Sequence, residues 1–354
     1  MEIKFTKTTN PKEKPDASNI AFGKKFTDHM FIMDYNKEKG WHDPRIVPFD
    51  NLSLSPASAV FHYGAEVFEG LKAYYTTNGN VQLFRPIDNI KRLNDSAERL
   101  ALPQLDEQFA LEALEKFVSI EKDWVPKKFG TSLYIRPFLF ASEPALGLHT
   151  IDEAMFVIIA SPVGNYYKEG INPVSIMIED EDVRAVRGGT GYAKCGGNYA
   201  ASNRAGEKAE KKGFSQVLWL DGVERKYIEE VGSMNVMFKI KGKIVTPKLT
   251  GSVLPGITRR SCIQILKDWG YEVEERLVSV DEIGEAMKNG ELEEAWGTGT
   301  AAVVSPIGIL QYKDTNYVIN NEQIGDVTKK LYDELTGIQW GKIEDKHNWC
   351  VKID

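Results

Sequence analysis

The chain has 354 residues, of which 42% are hydrophobic and 27% are charged, a composition that favours a folded protein with room for two domains. Its formal net charge of −7 argues against nucleic acid or an anionic membrane surface as the main partner. No apolar run approaches the roughly 20 residues that span a bilayer, and the histidines and cysteines show no metal-ligand spacing.

The N-terminal segment "MEIKFTKTTNPKEKPDASN" is polar and lacks the apolar stretch of a secretory signal. We interpret residues 1–15 as a flexible arm. Because Cys195, Cys262 and Cys350 are widely spaced and odd in number, no disulfide framework is expected. A reducing, cytoplasmic location fits this pattern.

The first half of the chain mixes strands with helices. The segment "GLKAYYTTNGNVQLF" predicts a β-hairpin with an Asn-Gly turn. The segment "PIDNIKRLNDSAERLAL" predicts a helix with Pro86 in its first turn and Arg92 beside its apolar stripe. The alternation in "TSLYIRPFLF" predicts a strand with Tyr134 and Arg136 on one face. We assign residues 1–164 to a small N-terminal α+β domain.

The second half begins with residues 165–176, which we interpret as an interdomain linker. Residues 177–354 are then a larger C-terminal domain. In it, "QVLWL" and "SMNVMFKIKGKIVTP" predict a strand and a hairpin, and "LPGITRRSCIQILKDWG" predicts a helix that stops at Gly270. The segment "EEAWGTGTAAVVSPIGIL" predicts two strands around a tight loop, and a final helix is expected near Asp326 to Thr336.

Two glycine-rich loops do not match the nucleotide-binding motifs that they resemble. "GTGTAA" at Gly297 has the form of GxGxxG/A, but the Val-Val-Ser-Pro sequence after it is a poor opening for the helix that the motif requires. "RGGTGYAK" does not match a P-loop. We interpret the first loop as a strand-to-strand turn, whose backbone N–H groups can still bind an anion.

The lysine in "GYAKCGGNYAAS" has unusual neighbours. Most lysines are solvated, but Gly196 and Gly197 leave room beside Lys194 for another molecule, and the residues around it do not have the composition of a solvent-exposed face. A lysine amine that is shielded from solvent can form a Schiff base. From this segment alone, surface exposure and Schiff-base chemistry both remain open.

Two further segments carry polar groups suited to a single cofactor. In "IEEVGSMN", Glu229 and Glu230 form an ordinary loop pair, or one of them binds a protonated ring nitrogen. In "LPGITRRS", the helix begins with free N–H groups at Ile257 and Thr258, which form a plain cap or a phosphate site. Arg92 would add a bidentate phosphate contact unless it is exposed. A Schiff-base lysine, a pyridinium partner and a phosphate site together point to pyridoxal 5′-phosphate.

Long segments of the chain resemble the branched-chain amino-acid aminotransferases of the fold-type IV pyridoxal-phosphate class. The resemblance covers nearly the whole chain and includes "FGKKFTDHMF", "LSLSPASAVFHYGAEVFEGLKAY", "LFRPIDNIKRLNDSAERLALP", "GTSLYIRPFLF", "KCGGNYAAS", "QVLWLDG", "EEVGSMNVMF", "LPGITRRS" and "WGTGTAAVVSPIG". So many long matches in family order are highly specific. The resemblance implies a two-domain α/β (α+β) fold of the D-amino-acid aminotransferase type.

The resemblance implies a role for each matching residue of the cofactor site. Lys194 would form the Schiff base with pyridoxal 5′-phosphate and would move the α-proton of the substrate. Glu230, rather than Glu229, would bind the pyridine nitrogen, and Tyr199 would bind the phenolic oxygen. The phosphate would be held by Arg92, the backbone of Ile257 and Thr258, and Thr300.

The substrate pocket that the resemblance implies has aliphatic and aromatic walls that suit leucine, isoleucine and valine. Its side chains would be Phe22, Tyr63, Phe68, Tyr134, Arg136 and Leu148. Backbone N–H groups of Thr300 and Ala301 would bind the α-carboxylate, and Arg136 would accept the second carboxylate of glutamate, unless it forms a salt bridge on its strand. In this family a neighbouring subunit supplies part of the pocket, which implies a homodimer or a larger assembly.

The implied reaction is the reversible, ping-pong transfer of an amino group between L-leucine, L-isoleucine or L-valine and 2-oxoglutarate. D-amino-acid aminotransferases and aminodeoxychorismate lyases are rivals with the same fold, and the long N-terminal block and the pocket aromatics argue against both. A non-catalytic binding protein and a cofactor-free Schiff-base aldolase leave parts of the cofactor-binding set unexplained. Ala302 and Ser305 replace the CxxC redox pair of some animal members, so thiol regulation is not expected there.

Overall fold

The computed structural model describes residues 1–16, 20–164 and 171–354. The chain divides into two compact units. The first unit contains Met1–Tyr166, Ala193–Gly196 and Gly337–Asp354, and the second contains Tyr167–Tyr192 and Gly197–Thr336. Within the described ranges, none of the helices has the length and apolar character needed to cross a membrane.

The strands and helices are numbered in chain order. The strands of the described residues are β1 (Lys4–Phe5), β2 (His29–Asn36), β3 (Gly40–Pro48), β4 (Glu66–Phe68), β5 (Leu71–Tyr75), β6 (Val81–Phe84), β7 (Ser132–Ala141), β8 (Glu153–Val163), β9 (Val174–Glu179), β10 (Gln216–Leu220), β11 (Ile228–Val231), β12 (Met234–Ile240), β13 (Lys243–Pro247), β14 (Val273–Arg276), β15 (Leu292–Gly299), β16 (Val303–Tyr312), β17 (Thr315–Val318) and β18 (Cys350–Ile353). The α-helices are α1 (Ala59–Tyr63), α2 (Pro86–Arg99), α3 (Glu107–Ile120), α4 (Gly196–Ala200), α5 (Asn203–Lys211), α6 (Ile257–Asp268), α7 (Val280–Lys288) and α8 (Asp326–Gln339). Short 3₁₀ helices occupy Lys122–Trp124 and Asn320–Glu322.

The first unit is built on one mixed sheet with the strand order β1-β3-β2-β8-β7-β5-β6-β18, and β4 pairs with β7. The predicted hairpin is confirmed, since β5 and β6 pair antiparallel around Gly79, whose φ of 82° favours glycine. Helix α2 begins at Pro86, as predicted, because proline suits a first turn where no N–H donor is needed. Its buried side chains Ile90, Leu93 and Ala97 join the core of this unit.

The second unit is built on a sheet with the order β11-β10-β9-β16-β15-β12-β13-β14, and β17 pairs with β16. β11 also pairs with β12, so six strands form a closed ring. The hairpin β12–β13 and the antiparallel pair β15–β16 form as predicted. Helix α6 begins directly after Gly256, and Gly270, with a φ of 83°, lies just beyond its end.

The prediction that residues 1–15 form a flexible arm is wrong. β1 pairs in parallel with β3 at one edge of the first sheet. The N–H of Thr8 donates to Nε2 of buried His29 at 2.9 Å, and Nζ of Lys12 donates to the carbonyl oxygen of Thr27 at 2.9 Å. The segment is polar, but tertiary partners satisfy its backbone groups, and composition does not reveal such partners.

The domain boundaries differ from those predicted. Residues 165–170 of the predicted linker lie outside the described residues, and its end at 176 is corrected because β9 already begins at Val174. The predicted C-terminal domain does not extend to residue 354. Gly337–Asp354 belongs to the first unit, since β18 pairs with β6 and the rings of Trp340 and Tyr74 lie 4.6 Å apart.

Candidate active site

The backbone around Lys194 is held at three points within the first unit. The N–H of Lys194 donates to Oγ of Ser96 at 2.9 Å, and its carbonyl oxygen accepts from the N–H of Phe68 at 2.9 Å. The N–H of Gly196 donates to Oε1 of Glu66. A Cβ atom at Gly196 would overlap that carboxylate, so the missing side chain makes room for Glu66 of the same chain. The prediction that Gly196 makes room for another molecule is therefore wrong. Gly197, by contrast, faces open space.

The side chain of Lys194 is half-buried, which excludes the fully exposed alternative. Its Nζ lies 4.9 Å from the centre of the Phe68 ring, and Cζ of Arg136 lies 4.7 Å from the same centre. Aromatic faces attract cations by about 0.5–1 kcal/mol at exposed sites and more where water is excluded. Phe68 therefore helps to place both cations.

Glu69, which follows Phe68, is a buried carboxylate that the sequence analysis missed. It is 0% exposed and accepts from Nε of Arg92 at 2.7 Å, Nη2 of Arg92 at 2.9 Å and Nδ2 of Asn89 at 2.7 Å. Burial on its own would raise the pKa of Glu69, but Arg92, with a smaller contribution from Lys194, outweighs it and lowers that pKa. An acidic residue within the apolar stretch "EVFEGLKAYY" is the sequence signal that could have identified it.

Arg92 is only 6% exposed, so the alternative of a surface arginine is wrong. Its contact with Glu69 is bidentate, a geometry that fixes the plane of the guanidinium. Helix α2 carries both Arg92 and Ser96, one turn apart, and Oγ of Ser96 donates to the carbonyl oxygen of Arg92 at 2.8 Å. One helix therefore positions Arg92 and the backbone of Lys194.

Three of the predicted substrate residues line one cavity of the first unit. Phe22, Tyr134 and Arg136 surround a space of about 220 Å³. The rings of Phe22 and Tyr134 lie 5.1 Å apart, and Nη2 of Arg136 donates to Oη of Tyr134 at 3.1 Å. Nε of Arg136 donates to the carbonyl oxygen of Glu69 at 2.9 Å, so no carboxylate is needed to hold it. Phe68 joins this group through its ring contact with Arg136.

Tyr63 and Leu148 do not line that cavity. Oη of Tyr63 accepts from the N–H of Gly147 at 2.5 Å, and Tyr63 and Leu148 are 40% and 88% exposed. Phe61 and Leu146, their neighbours in sequence, are 61% and 70% exposed. Large apolar side chains grouped in this way form the kind of patch that another protein surface covers.

In the second unit, Tyr199 and Glu230 line a cavity of about 590 Å³ together with Gly232, Ser233 and Leu254. This volume lies within the usual range for cofactor and ligand sites, about 300–1,000 Å³. Glu230 is 3% exposed and comes from β11, whose residues are all buried. A buried glutamate and a tyrosine thus line the same cavity.

The two glutamates of "IEEVGSMN" have different surroundings, because neighbouring residues on a strand point to opposite faces. Oε2 of Glu230 lies 2.5 Å from Nε of Arg184, and its Oε1 accepts from Nδ2 of Asn235 at 3.1 Å. Glu229 accepts from Oγ of Ser252, and burial raises its pKa. Of the two carboxylates, Glu230 is the one that lines the cavity.

Helix α6 begins at Ile257 without a side-chain cap on its first turn. Gly256 has to lack a side chain here, because a Cβ atom would overlap Oδ1 of Asn235. Nδ2 of Asn235 also donates to the carbonyl oxygen of Leu254 at 2.9 Å, which ties this loop to Glu230. The N–H groups of Ile257 and Thr258 therefore lie at a helix N-terminus, where an anion is favoured.

Thr300 and Ala301 occupy the turn between β15 and β16. Val303, which follows the turn, has a φ of 62°. A β-branched residue rarely adopts this conformation, and such strained positions concentrate at functional sites. Among the described residues, no group of three or more His, Cys, Asp or Glu side chains could hold a metal ion.

Comparisons with known proteins identify the family of this chain. The family model described as "Amino-transferase class IV" matches residues 66–309. The chain is 57% identical over 351 residues to branched-chain-amino-acid aminotransferase 2 of Bacillus subtilis (strain 168), and the match covers 99% of this chain and 97% of that protein.

Solved structures give the same result. The crystal structure of the Escherichia coli branched-chain amino acid aminotransferase matches with a TM-score of 0.77 and 26% identity, over 92% of this chain and 99% of that chain. A T.th. branched-chain amino acid aminotransferase complexed with N-(5′-phosphopyridoxyl)-L-glutamate matches with a TM-score of 0.75 and 27% identity, over 92% of this chain and 98% of that chain.

Proposed function

Because the chain belongs to the class IV aminotransferases, and among them to the branched-chain-amino-acid aminotransferases, we propose that it transfers the amino group of L-leucine, L-isoleucine or L-valine to 2-oxoglutarate. The products are the branched-chain 2-oxo acids and L-glutamate, and two half-reactions alternate in a ping-pong cycle. The observation that carries the proposal is the 57% identity to the Bacillus subtilis enzyme over 99% of this chain.

The cofactor of this family is pyridoxal 5′-phosphate, and the described residues fit it. When bound, it supplies an aldehyde that reacts with amines and a ring that withdraws electrons. Glu230, which Arg184 holds at ion-pair distance, suits a protonated ring nitrogen, and Tyr199 in the same cavity suits the phenolic oxygen. The N–H groups of Ile257 and Thr258 suit the phosphate.

Arg92 and Thr300 complete the proposed phosphate contacts. Glu69 holds the guanidinium of Arg92 in one plane, which leaves less conformational freedom to lose when an anion binds. Thr300 and Ala301 offer turn N–H groups, which we assign to the phosphate and to the substrate α-carboxylate.

Lys194 is the proposed catalytic residue, and its amine would move the proton at the substrate α-carbon. The hydrogen bonds that its backbone N–H donates to Ser96 and that its carbonyl oxygen accepts from Phe68 support this role, because they restrict where the amine can reach. The charge of Lys194 lowers the pKa of Glu69, so the amine and this buried carboxylate also interact electrostatically.

The proposed substrate pocket must accept both an aliphatic side chain and the second carboxylate of glutamate. Phe22, Phe68 and Tyr134 provide aromatic walls for leucine, isoleucine and valine. Arg136 suits the second carboxylate of glutamate, since its guanidinium is held by a hydroxyl and a carbonyl oxygen and carries a positive charge that also acts on Glu66.

We also propose a homodimer in which Tyr63 and Leu148 serve the neighbouring subunit. Their exposure, together with that of Phe61 and Leu146, supports this assignment, because an isolated chain would leave a grouped apolar surface in water. A partner that covers the patch would give all four side chains a buried environment.

The experiment that tests the function is a visible absorption titration of the purified protein. We expect L-leucine, added without an oxo acid, to remove the absorption band of the bound cofactor, and 2-oxoglutarate to restore it. D-alanine should leave the band unchanged. A coloured protein that ignores L-leucine would contradict the proposed substrates, and a protein that binds no pyridoxal phosphate would contradict the whole assignment.

The matched variants for this test are Lys194→Ala and Lys211→Ala. Lys211 is an exposed lysine on α5, paired with Glu207 on the same helix, so its loss should leave turnover unchanged. Lys194→Ala should fold normally and lose turnover by at least about 100-fold, the lower range for a general base. Unchanged turnover in Lys194→Ala would exclude Lys194 as the catalytic residue.

A further inference from the structure

Arg184 is a buried arginine of the second unit that links three separate segments. Its guanidinium Nε lies 2.5 Å from Oε2 of Glu230 on β11, an ion-pair contact in which the Nε–H is not aligned for a hydrogen bond. Its Nη2 donates to the carbonyl oxygen of Gly191 at 2.9 Å and to that of Ser252 at 2.5 Å. The residue is 8% exposed, so these contacts are made away from bulk water.

A buried ion pair of this kind is poor evidence for stability. Taking two charges out of water costs about as much as their attraction returns, and apolar replacements of the pair are often neutral or stabilising. The presence of two charged residues at this buried position therefore needs an explanation other than stability. The explanation suggested by the geometry is position, because Nη2 of Arg184 is held by two backbone carbonyl oxygens and the positive charge is thereby placed beside Glu230.

Each residue that Arg184 contacts either belongs to the proposed cofactor site or lies within three residues of it in the sequence. Glu230 is the carboxylate that we assign to the pyridine nitrogen. Ser252 lies two residues before Leu254, which lines the same cavity as Glu230. Gly191 lies three residues before Lys194 in the sequence.

The packing at these contacts leaves little freedom for movement. A Cβ atom at Gly191 would overlap both the carbonyl oxygen of Ser252 and the side chain of Ala185, so the three segments lie against one another around the guanidinium. Asn235 holds the other oxygen of Glu230 at 3.1 Å, so the carboxylate cannot rotate without losing a second contact.

We propose that Arg184 is a positioning residue that keeps the carboxylate of Glu230 directed into the cavity, where it meets the ring nitrogen of pyridoxal 5′-phosphate. This inference rests on the proposed function. Lysine is a poor replacement for arginine here, because one ammonium group cannot keep the ion pair with Glu230 and the contacts with the carbonyl oxygens of Gly191 and Ser252 at the same time. Replacing Arg184 should therefore weaken the binding of pyridoxal 5′-phosphate more than the binding of an analogue that lacks the ring nitrogen.

The test compares the affinity of the apoenzyme for two probes. One is pyridoxal 5′-phosphate, and the other is its analogue with carbon in place of the ring nitrogen. Wild type, Arg184→Lys and Arg184→Gln are titrated by fluorescence. Arg187→Gln is the matched control, since Arg187 lies three residues along the same segment and is exposed.

We expect Arg184→Lys to bind pyridoxal 5′-phosphate roughly 10- to 100-fold more weakly than wild type, the loss typical of removing an outer-shell partner of a ligand. Its affinity for the carbon analogue should change by less than about threefold, and Arg187→Gln should match wild type for both probes. In a Glu230→Gln background, Arg184→Lys should have no further effect, because its partner is already gone.

Equal losses for both probes would show a general structural role and overturn the inference, as would unchanged affinities. If Arg184→Gln does not fold, the comparison of Arg184→Lys with wild type is the test, since the lysine variant keeps the positive charge. Failure of the proposed function is distinguishable. In that case wild type itself would bind neither probe, or would bind both equally.

Discussion

At the scale of single residues, the first unit keeps its charges close together in a region shielded from water. Glu69 has no exposure, yet its carboxylate is satisfied by Arg92, Asn89 and the N–H of Gly70. Such a group is acceptable in a protein interior because charge-assisted hydrogen bonds replace those of water. Lys72, two residues beyond Gly70, is buried as well, and it gives a testable consequence.

Lys72 lies on β5 opposite Tyr134 of β7 and is 7% exposed. Burial lowers its pKa to about 7. Between that value and the unfolded value of about 10.4, the unfolded chain binds more protons than the folded one. The free energy of unfolding therefore rises with pH across this window, and the cost of burying the charge is fully present below about pH 7.

We expect Lys72→Met to be more stable than wild type at pH 7, because it removes that cost. The advantage should shrink as the pH approaches 10. Urea unfolding between pH 6.5 and 9.5 measures the difference, with Lys91→Met, at an exposed position, as the control. A difference that does not change with pH would mean that Lys72 keeps its ordinary pKa.

At the scale of elements, His29 is one of several contacts that hold the N-terminal segment, beside the pairing of β1 with β3 and the hydrogen bond from Lys12 to Thr27. Nε2 of His29 accepts from the N–H of Thr8, so this ring nitrogen carries no proton. Nδ1 is then the nitrogen that donates to Glu121, a contact buried on both sides. Burial is also the main reason that the pKa of Glu121 is raised.

Thr8→Pro removes the N–H that holds the segment, whereas Thr8→Ala keeps it. We expect Thr8→Pro to lose about 1 kcal/mol of stability, the net value of one hydrogen bond, and to be cut faster by trypsin after Lys4 and Lys12. The bond after Lys7 becomes Lys-Pro in this variant and is not compared, because trypsin does not cut before proline. Thr8→Ala keeps this N–H but loses the hydroxyl that accepts from the exposed N–H of Asn10, so it should be cut more slowly than Thr8→Pro. Equal cleavage rates in the two variants would show that His29 does not hold this segment.

At the scale of the whole molecule, the exposed apolar patch gives a prediction for the proposed dimer. Leu148 is 88% exposed and Val223, a matched control in the second unit, is 75% exposed. Leu148→Lys should weaken subunit association by at least about 100-fold, since an unpaired charge buried in an interface costs about 3 kcal/mol or more. Light scattering after size exclusion measures the mass. Val223→Lys should leave it unchanged, and a Leu148→Lys protein with wild-type mass would place the interface elsewhere.

The sequence alone determined the features that depend on neighbouring residues. Asn78-Gly79 specifies a turn, Pro86 a helix start and Gly270 a helix stop, because each acts through its own backbone conformation. The same holds for Tyr134 and Arg136, whose shared face follows from the pleat of one strand. Motif order was sufficient to identify the family.

Only the tertiary structure decided the contacts between distant parts of the chain. Ser96 and Lys194 are 98 residues apart, and Gln82 and Cys350, on adjacent strands, are 268 apart. Arg184 stands in a segment without local signal, and the N-terminal segment is polar, so neither the burial of Arg184 nor the partners of the N-terminal segment could be anticipated. The physical reason is that hydrogen bonds and ion pairs of buried groups depend on proximity in space, which periodicity and turn residues do not specify.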